Sequence, residues 1–159
     1  MKKSPDKNIK IVCRKKRARH DYDLGERFEA GMVLTGTEVK SLRMGKANLA
    51  DSYARVIEGE VWLLNAHISP YPYAHYGNHE PERRRKLLLH RREIKKLYGR
   101  TQEQGQSLIP LAIYFKDGRA KVELALAKGR KAYDKRQVLK QRAADREMAR
   151  AIRRRSSDY

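Results

Sequence analysis

Alternation of hydrophobic and polar residues predicts that this chain is built mainly from β-strands. The clearest predicted hairpin has its turn at Glu58-Gly59, with an alternating segment on either side. A second predicted hairpin turns at Asp117-Gly118, a dipeptide that favours tight turns between antiparallel strands. These two hairpins account for four predicted strands.

Three further segments have strand-like patterns: residues 9–15, 26–36 and 83–90. In the second of them Gly31 predicts a bend or bulge, because glycine tolerates the irregular dihedral angles that this requires. Helical spacing is found in residues 37–46, with Thr37 as predicted N-cap and Gly45 just beyond the end, and in residues 91–105. We count five or six of these seven segments as short strands, with one helix before the last hairpin. This order predicts a mainly β fold, a small closed barrel of the OB type with flanking helices.

Positive charge is concentrated at the two ends of the chain. The protein has 159 residues, with 38 lysines and arginines against 19 acidic residues, and a formal net charge of +19. Residues 1–20 hold nine cations and one acid, residues 128–159 hold twelve and four, and residues 21–127 are nearly balanced. This excess favours a polyanionic partner, although its sign alone leaves DNA, RNA and an anionic membrane open.

The charge distribution and the strand pattern predict three parts: a disordered basic lead-in over residues 1–9, an OB-like barrel over residues 10–128, and a basic tail over residues 129–159. The tail has a thin apolar stripe, so we expect it to be disordered in the free protein and helical on a polyanion. Cys13 is the only cysteine, which excludes an intrachain disulfide and favours a reducing compartment. The longest apolar run, residues 109–115, is too short to cross a bilayer. A cytoplasmic protein with no membrane partner is therefore expected.

Enzyme motifs are not matched. The string RMGKAN invites comparison with a nucleotide-binding P-loop, but Lys40 and Ala47 stand where that motif needs glycine and serine or threonine. Three carboxylates are candidates for the magnesium site of a nuclease: Glu29, Glu38 and Asp51. Their spacing favours strand-edge and capping roles, and His75 and His79 are predicted as exposed or RNA-facing loop residues. We therefore predict no enzyme, no cofactor and no metal.

Basic, aromatic and isolated apolar residues are the candidate binding features. Two basic segments are dense enough to neutralise several phosphates, and they contribute Lys16, Arg17, Arg19 and Lys86. Four tyrosines either stack on bases or are half-buried: Tyr22, Tyr71, Tyr73 and Tyr76. Leu88 lies between two leucines, and strand alternation turns it away from both. Either this strand is buried on both faces, or Leu88 is exposed and contacts an unstacked nucleotide.

Five longer strings, in this order, resemble the SsrA-binding protein (SmpB) family: KKRARHDY, FEAGMVLTGTEVKSLRMGKANLADSY, NAHISPY, RRRKLLLH and ALAKGRKAYDKR. The resemblance implies an OB-like barrel without enzymatic activity, and we expect a monomer. It implies binding to the tRNA-like domain of transfer-messenger RNA and support for its alanylation by alanyl-tRNA synthetase. It also implies delivery of this RNA, with elongation factor Tu, to ribosomes stalled without a usable stop codon, where trans-translation follows.

The resemblance assigns five residues to the face that binds the tRNA-like domain: His20, Tyr22, Glu29, Leu88 and His90. A carboxylate such as Glu29 can accept hydrogen bonds from a base or a ribose hydroxyl, which a lysine cannot. Two positions depart from the family pattern. Many relatives have asparagine where His90 stands, and some have asparagine where Lys15 stands, which favours a phosphate contact by Lys15 over a base contact.

For the tail, the resemblance implies ribosome binding by Gly129, Arg130, Lys131, Tyr133, Asp134, Lys135 and Arg136. It implies that Tyr133 stacks on a base of the decoding centre of the small subunit, and that the tail is a helix in the empty mRNA channel. An alternative explains the charge equally well: a basic OB-barrel structural protein of the ribosome, with no preference for tRNA-like RNA.

Overall fold

A computed structural model of the chain describes residues 8–103, 105–129 and 132–157. The strands in these ranges are β1 (Ile9–Arg14), β2 (Tyr22–Met32), β3 (Ala47–Asn48), β4 (Tyr53–Ile57), β5 (Glu60–Leu64), β6 (His67–Ile68), β7 (Arg85–Leu88), β8 (Ser107–Lys116) and β9 (Arg119–Gly129). The helices are α1 (Ala18–Asp21), α2 (Gly36–Arg43), α3 (Arg91–Glu103) and α4 (Ala132–Ser157).

The larger sheet has the strand order β1-β8-β4-β5-β7-β2-β9, and β8 also pairs with β9. The pairings from β8 through β4, β5, β7, β2 and β9 therefore form a ring of six antiparallel strands. Two of the strand pairings that form the ring are short. Strand β4 meets β8 at the pair Ala54–Leu108, and β2 meets β7 at Gly31–Leu88 and Met32–Leu87. The mainly β barrel with flanking helices is confirmed, with α3 placed before the last hairpin as predicted.

The predicted strand count is too low. Among the described residues there are nine strands, since β3 and β6 form a separate two-stranded sheet beside the ring. Segments of two residues are too short to produce a recognisable alternation. Inside the ring, alternate strand residues such as Phe28 and Ala30 form one core, and α2 and α3 contribute the buried Leu42 and Leu97.

Both predicted hairpins are confirmed. Strands β4 and β5 are joined by Glu58-Gly59, and β8 and β9 by Asp117-Gly118. All four turn residues have positive φ angles between 50° and 77°. Positive φ at both central residues is typical of the two-residue turn whose twist matches that of antiparallel strands.

Gly31 does not form the predicted bulge. The register shift in β2 lies between Leu24 and Arg27, whereas Gly31 pairs regularly with Lys121 and Leu88. A Cβ atom at Gly31 would lie 3.4 Å from the Cβ of Leu88, so the missing side chain leaves room for that leucine. The predicted bulge is therefore wrong, because a glycine in a strand can mark a close approach of neighbouring groups instead of a bulge.

Helix α2 begins two residues earlier than predicted. Its N-cap is Thr35, whose backbone N–H donates to the Glu38 carboxylate at 2.9 Å. Thr37 instead lies in the first turn, where its hydroxyl is 2.9 Å from Nδ1 of His79. Gly45 follows the helix with φ of 72°, as expected for a glycine beyond a helix C-terminus.

The tail contains α4, which begins at Ala132 and ends at Ser157. Its side chains from Leu139 to Arg154 are exposed, including the apolar Met148 and Ile152. A helix that buries so little has small tertiary stabilisation. Disorder of this tail in the free protein stays a prediction.

Candidate nucleic-acid interface

The outer face of the ring brings several predicted site residues onto neighbouring strands. In β2, Phe28 and Ala30 point into the core, so Glu29 and Gly31 point outward. Glu29 lies opposite Glu123 of β9, and Gly31 lies between Lys121 of β9 and Leu88 of β7. We call this surface of β2, β7, β8 and β9 the outer face.

Glu29 is held in place but keeps accessible oxygen atoms. Its Oε2 accepts a hydrogen bond from the Tyr114 hydroxyl at 2.5 Å, and its Oε1 lies 3.6 Å from Nζ of Lys116. Burial, and then the bond to Glu29, raise the pKa of Tyr114, so this hydroxyl remains a donor. The Glu29 side chain is still 41% exposed. It is therefore an oriented acceptor on the outer face.

A basic groove runs beside Glu29, between β1, α1 and the outer face. The side chains that line it include Arg14, Lys16, Arg19, Arg27, Glu29, Tyr114, Lys116 and Glu123. Arg27 donates to Glu123 at 3.0 Å. Within the described ranges, the exposed Lys16 and Arg19 have no carboxylate partner. The groove therefore offers unpaired cations next to the acceptor Glu29.

Leu88 is exposed, and the alternative of a strand buried on both faces is wrong. Leu87 points into the core, while Leu88 is 53% exposed and lies over Gly31. The depression around Leu88 is otherwise lined by Met32, Leu34, Val39, Phe115, Arg119, Ala120 and Lys121. Because Gly31 and Glu29 are two residues apart in β2, this apolar patch adjoins the basic groove.

The other residues predicted from β7 and α3 have partners. Lys86 lies on the same face as Leu88, and its Nζ donates to Glu60 at 2.9 Å. The exposed His90 precedes α3, where its backbone N–H donates to the Glu93 carboxylate at 3.2 Å. No contact in the described structure ties its ring to the basic groove.

The segment around α1 divides between two surfaces. Nδ1 of His20 is 3.0 Å from the Asp21 carboxylate, and Arg17 is exposed just before the helix. Tyr22 does not line the basic groove. It borders a second cavity together with Lys15, Asp51, Tyr53 and Gln102, among others, between β4, β8 and the end of α3.

Lys15 is a structural residue, which corrects the expectation of a phosphate contact. Its ammonium group donates to the backbone carbonyls of Leu49, Ala50 and Ser52 at 3.2, 3.0 and 2.9 Å. Burial lowers the pKa of Lys15, and the neighbouring Asp51 and Asp21 oppose that shift. Three carbonyls occupy all three donors of a lysine. Lys15 therefore links β1 to the connection between β3 and β4.

Two charged residues, Glu38 and Arg85, are buried, which the sequence did not predict. Glu38 and Arg85 have no exposed surface, and Arg85 Nε donates to Glu38 at 2.5 Å. Arg83 also donates to Glu38. Burial raises the pKa of Glu38, but hydrogen bonds from the Thr35 backbone and the two arginines outweigh it, so the pKa lies below its usual value. Glu38 is therefore used inside the fold, and Arg85 does not lie beside Leu88 on the outer face.

His79 is likewise buried, contrary to its predicted exposure. Its Nε2 is 2.8 Å from the carbonyl oxygen of Ile68, and its Nδ1 contacts Thr37. His75 is exposed as expected. Over the described residues, no group of three or more His, Cys, Asp or Glu side chains is placed to hold a metal ion.

The start of the tail lies next to α1. Tyr22 of β2 is the register partner of Gly129, the last residue of β9. Arg130 and Lys131 lie outside the described residues. The backbone of Tyr133, Asp134, Lys135 and Arg136 lies in the first turns of α4, and the Arg136 side chain is exposed.

Comparison with known proteins identifies the family. The family model "SmpB protein" matches residues 12–154. The chain belongs to the SmpB family. The SsrA-binding protein of Syntrophobacter fumaroxidans is 59% identical over 157 residues, 99% of this chain and 98% of that protein. The SsrA-binding protein of Desulforudis audaxviator is 62% identical over 144 residues, 91% and 94% of the two chains.

A solved structure supports the same relationship. Its chain, from work described as "tmRNA-SmpB: a journey to the center of the bacterial ribosome", is 50% identical, with a TM-score of 0.64. The match covers 76% of this chain and 85% of that SmpB family chain. In the part of the chain that the structure describes, no helix has both the length and the hydrophobicity needed to span a membrane.

Proposed function

We propose that this SmpB family protein binds the tRNA-like domain of transfer-messenger RNA and delivers the RNA to stalled ribosomes for trans-translation. The single observation that carries the proposal is the outer face, where Glu29, the exposed Leu88 and the basic groove adjoin. Its family membership and the tmRNA-SmpB relative support the choice of RNA.

Different residues of the outer face recognise different chemical groups of the RNA. Lys16 and Arg19 neutralise phosphates, which sets the affinity and its dependence on salt. Glu29 accepts from a ribose hydroxyl or a base edge, and Leu88 packs on an unstacked nucleotide. Arg17, His20, Tyr22 and His90 add contacts from beyond the basic groove, since Tyr22 borders the second cavity and His90 precedes α3. Lys86 contacts the RNA only where a phosphate displaces Glu60 from the Lys86 ammonium group.

The tail supplies the contact with the ribosome in this proposal. Residues 129–136 bind at the decoding centre, with Tyr133 against a base, and α4 occupies the empty mRNA channel. The protein acts as a cytoplasmic monomer and catalyses no step itself. Elongation factor Tu and alanyl-tRNA synthetase act on the RNA that it carries.

Truncating Leu88 tests the outer face. We expect Leu88→Ala to weaken binding of the tRNA-like domain about 4- to 12-fold. Full burial of a leucine side chain contributes about 1.5–3 kcal/mol, and binding can bury only about half of Leu88, which is 53% exposed. The measurement is a gel shift of the full chain against the isolated tRNA-like domain, with ordinary tRNA as competitor.

Met148→Ala is the matched control, since Met148 is an exposed apolar side chain of α4. Equal loss in both variants would contradict the assignment of the outer face. A wild-type protein that does not prefer the tRNA-like domain over ordinary tRNA would overturn the proposed function, and would favour a structural protein of the ribosome.

Replacing Lys15 separates a structural cation from an RNA-binding one. We expect Lys15→Met to lower the free energy of unfolding by about 1.5–3 kcal/mol, because it removes charged hydrogen bonds to three carbonyls. The slope of log affinity against log salt should stay unchanged. Urea unfolding and a salt titration of RNA binding measure the two effects.

The neighbouring Lys16→Met should show the opposite pattern. Lys16 is exposed in the basic groove, so its loss should leave stability within about 0.5 kcal/mol. It should reduce the salt slope by about 0.7–0.9, the contribution of one phosphate. A reduced slope without lost stability in Lys15→Met would show that our assignment of Lys15 is wrong.

A further inference from the structure

The loop between β6 and β7 exposes aromatic rings that the proposed function does not use. Tyr73 is 67% exposed and Tyr76 is fully exposed. Both belong to residues 70–78, which we call the aromatic loop. It shares no residue with the basic groove or the Leu88 depression.

Internal contacts hold the aromatic loop in one shape. The Asn78 side chain accepts from the Tyr71 N–H at 3.1 Å and donates to the Tyr71 carbonyl at 2.8 Å, which closes the loop. The rings of Tyr71 and Tyr73 meet edge to face, with centroids 5.6 Å apart. A ring that is already positioned loses little conformational entropy when a ligand binds.

The surroundings of the aromatic loop are cationic. The Lys40 ammonium lies 5.5 Å from the centroid of the Tyr71 ring, and the exposed Lys46 follows the end of α2. Arg43 does not contribute to this surface, because its guanidinium lies over the Phe115 ring. Lys46 also anchors the start of the loop, since its carbonyl accepts from the Ser69 N–H at 3.0 Å. Of the two carboxylates that follow the loop, Glu82 faces His67 at 4.0 Å. The combination fits a polyanion that carries flat apolar groups.

We propose that the aromatic loop is a second RNA-binding site, at which unpaired nucleotides stack on Tyr73 and Tyr76 while Lys40 faces the phosphates. Stacking on aromatic side chains tolerates any base, because every base has a π-face. The inference rests on the proposed function in that the ligand is RNA. It adds a contact with single-stranded segments, separate from the outer face.

A short single-stranded RNA tests this site. The full chain is first saturated with the tRNA-like domain, and a fluorescent uridine oligomer is then titrated and followed by anisotropy. We expect Tyr73→Ala and Tyr76→Ala each to weaken oligomer binding about 5- to 150-fold. The salt slope should not change, since stacking releases no counterions, and Tyr76→Phe should bind like the wild type.

Tyr98→Ala is the matched control, because Tyr98 is 54% exposed on α3, away from the loop. The inference is overturned if the wild-type complex binds no oligomer, if Tyr98→Ala loses as much affinity, or if the tRNA-like domain displaces the oligomer. Binding of the tRNA-like domain is measured in the same samples and should be unchanged by the tyrosine variants. If the wild-type protein does not bind the tRNA-like domain, this result contradicts the proposed function and not the aromatic-loop site.

Ultraviolet crosslinking identifies the natural RNA. Crosslinks from residues 70–78 to transfer-messenger RNA or to ribosomal RNA would each support the site. Crosslinks only to protein, or none, would overturn it.

Discussion

Replacing Arg85 by methionine is expected to lower the free energy of unfolding by about 3–5 kcal/mol, because it leaves a buried carboxylate with one fewer partner. For a chain of this length, such a loss corresponds to a fall in Tm of about 6–20 °C. The effect exceeds that of any surface substitution proposed above. Thermal and urea unfolding of the full chain measure it.

The size of this effect follows from what Arg85 contacts. Its guanidinium donates to Glu38 at 2.5 Å, to the Ala66 carbonyl at 2.6 Å and to the Pro81 carbonyl at 2.9 Å. These bonds join α2 to the residue before β6 and to the end of the connection between β6 and β7. Methionine replaces the aliphatic part of the arginine side chain but is shorter and supplies no donor. Two buried acceptors and one half-buried acceptor would then lose a partner, and the loss at a buried acceptor is costly.

Arg84→Met is the internal control for this substitution. Arg84 is exposed, with its guanidinium over the Trp62 ring, 4.7 Å from the centroid. An exposed cation–π contact contributes about 0.5–1 kcal/mol, so this variant should unfold nearly like the wild type. Pairing Arg85→Met with Glu38→Gln should cost less than the sum of the single effects, since the two residues share one network. Equal stability of the two methionine variants would contradict a structural role for Arg85.

The same network shows where sequence reasoning fails. Arg83, Arg84 and Arg85 are consecutive arginines, and their composition indicated a phosphate-binding segment. In the structure Arg85 is buried, Arg83 donates to Glu38, and Arg84 lies over Trp62. The residue type alone does not distinguish the three positions, because all three are arginines. Strand alternation is the one signal that could have done so, because it turns Arg85 inward together with Leu87.

Local sequence patterns predicted the turns of the fold better than they predicted its long-range contacts. Both hairpin turns could be read from two residues each, since positive φ strongly restricts which residues occur there. Alternation also turned Leu88 away from its two leucine neighbours, but it left open whether the face that Leu88 occupies is buried or exposed. By contrast, the three carbonyls that hold Lys15 come from residues about 35 positions away in the chain. Long-range partners of this kind depend on how β1 packs beside the connection between β3 and β4, which no local pattern encodes.

Removing the chain after Ala132 is expected to abolish trans-translation while leaving the affinity for the tRNA-like domain nearly unchanged. The last strand pairing of the ring, Tyr22 with Gly129, lies before the cut. Beyond it the described side chains from Leu139 to Arg154 are exposed, so among the side chains that the structure describes the truncation removes no part of the core. The measurements are a gel shift with the tRNA-like domain and a tagging assay on stalled ribosomes.

Two point variants separate the helical conformation of the tail from its charge. Ala144→Pro breaks α4 near its middle at a cost of about 3 kcal/mol or more in helix stability and removes no cation. We expect it to lose most of the tagging activity, if the tail acts as a helix on the ribosome. Ala144→Ser is the control, because serine costs less than about 1 kcal/mol in a helix interior. Circular dichroism of both variants, with and without ribosomes, should show the helix gained on binding only by the serine variant. Full tagging by Ala144→Pro would mean that charge alone carries the ribosomal contact.

Loss of tRNA-like-domain binding in the truncated protein would instead contradict the separation of roles between the outer face and the tail.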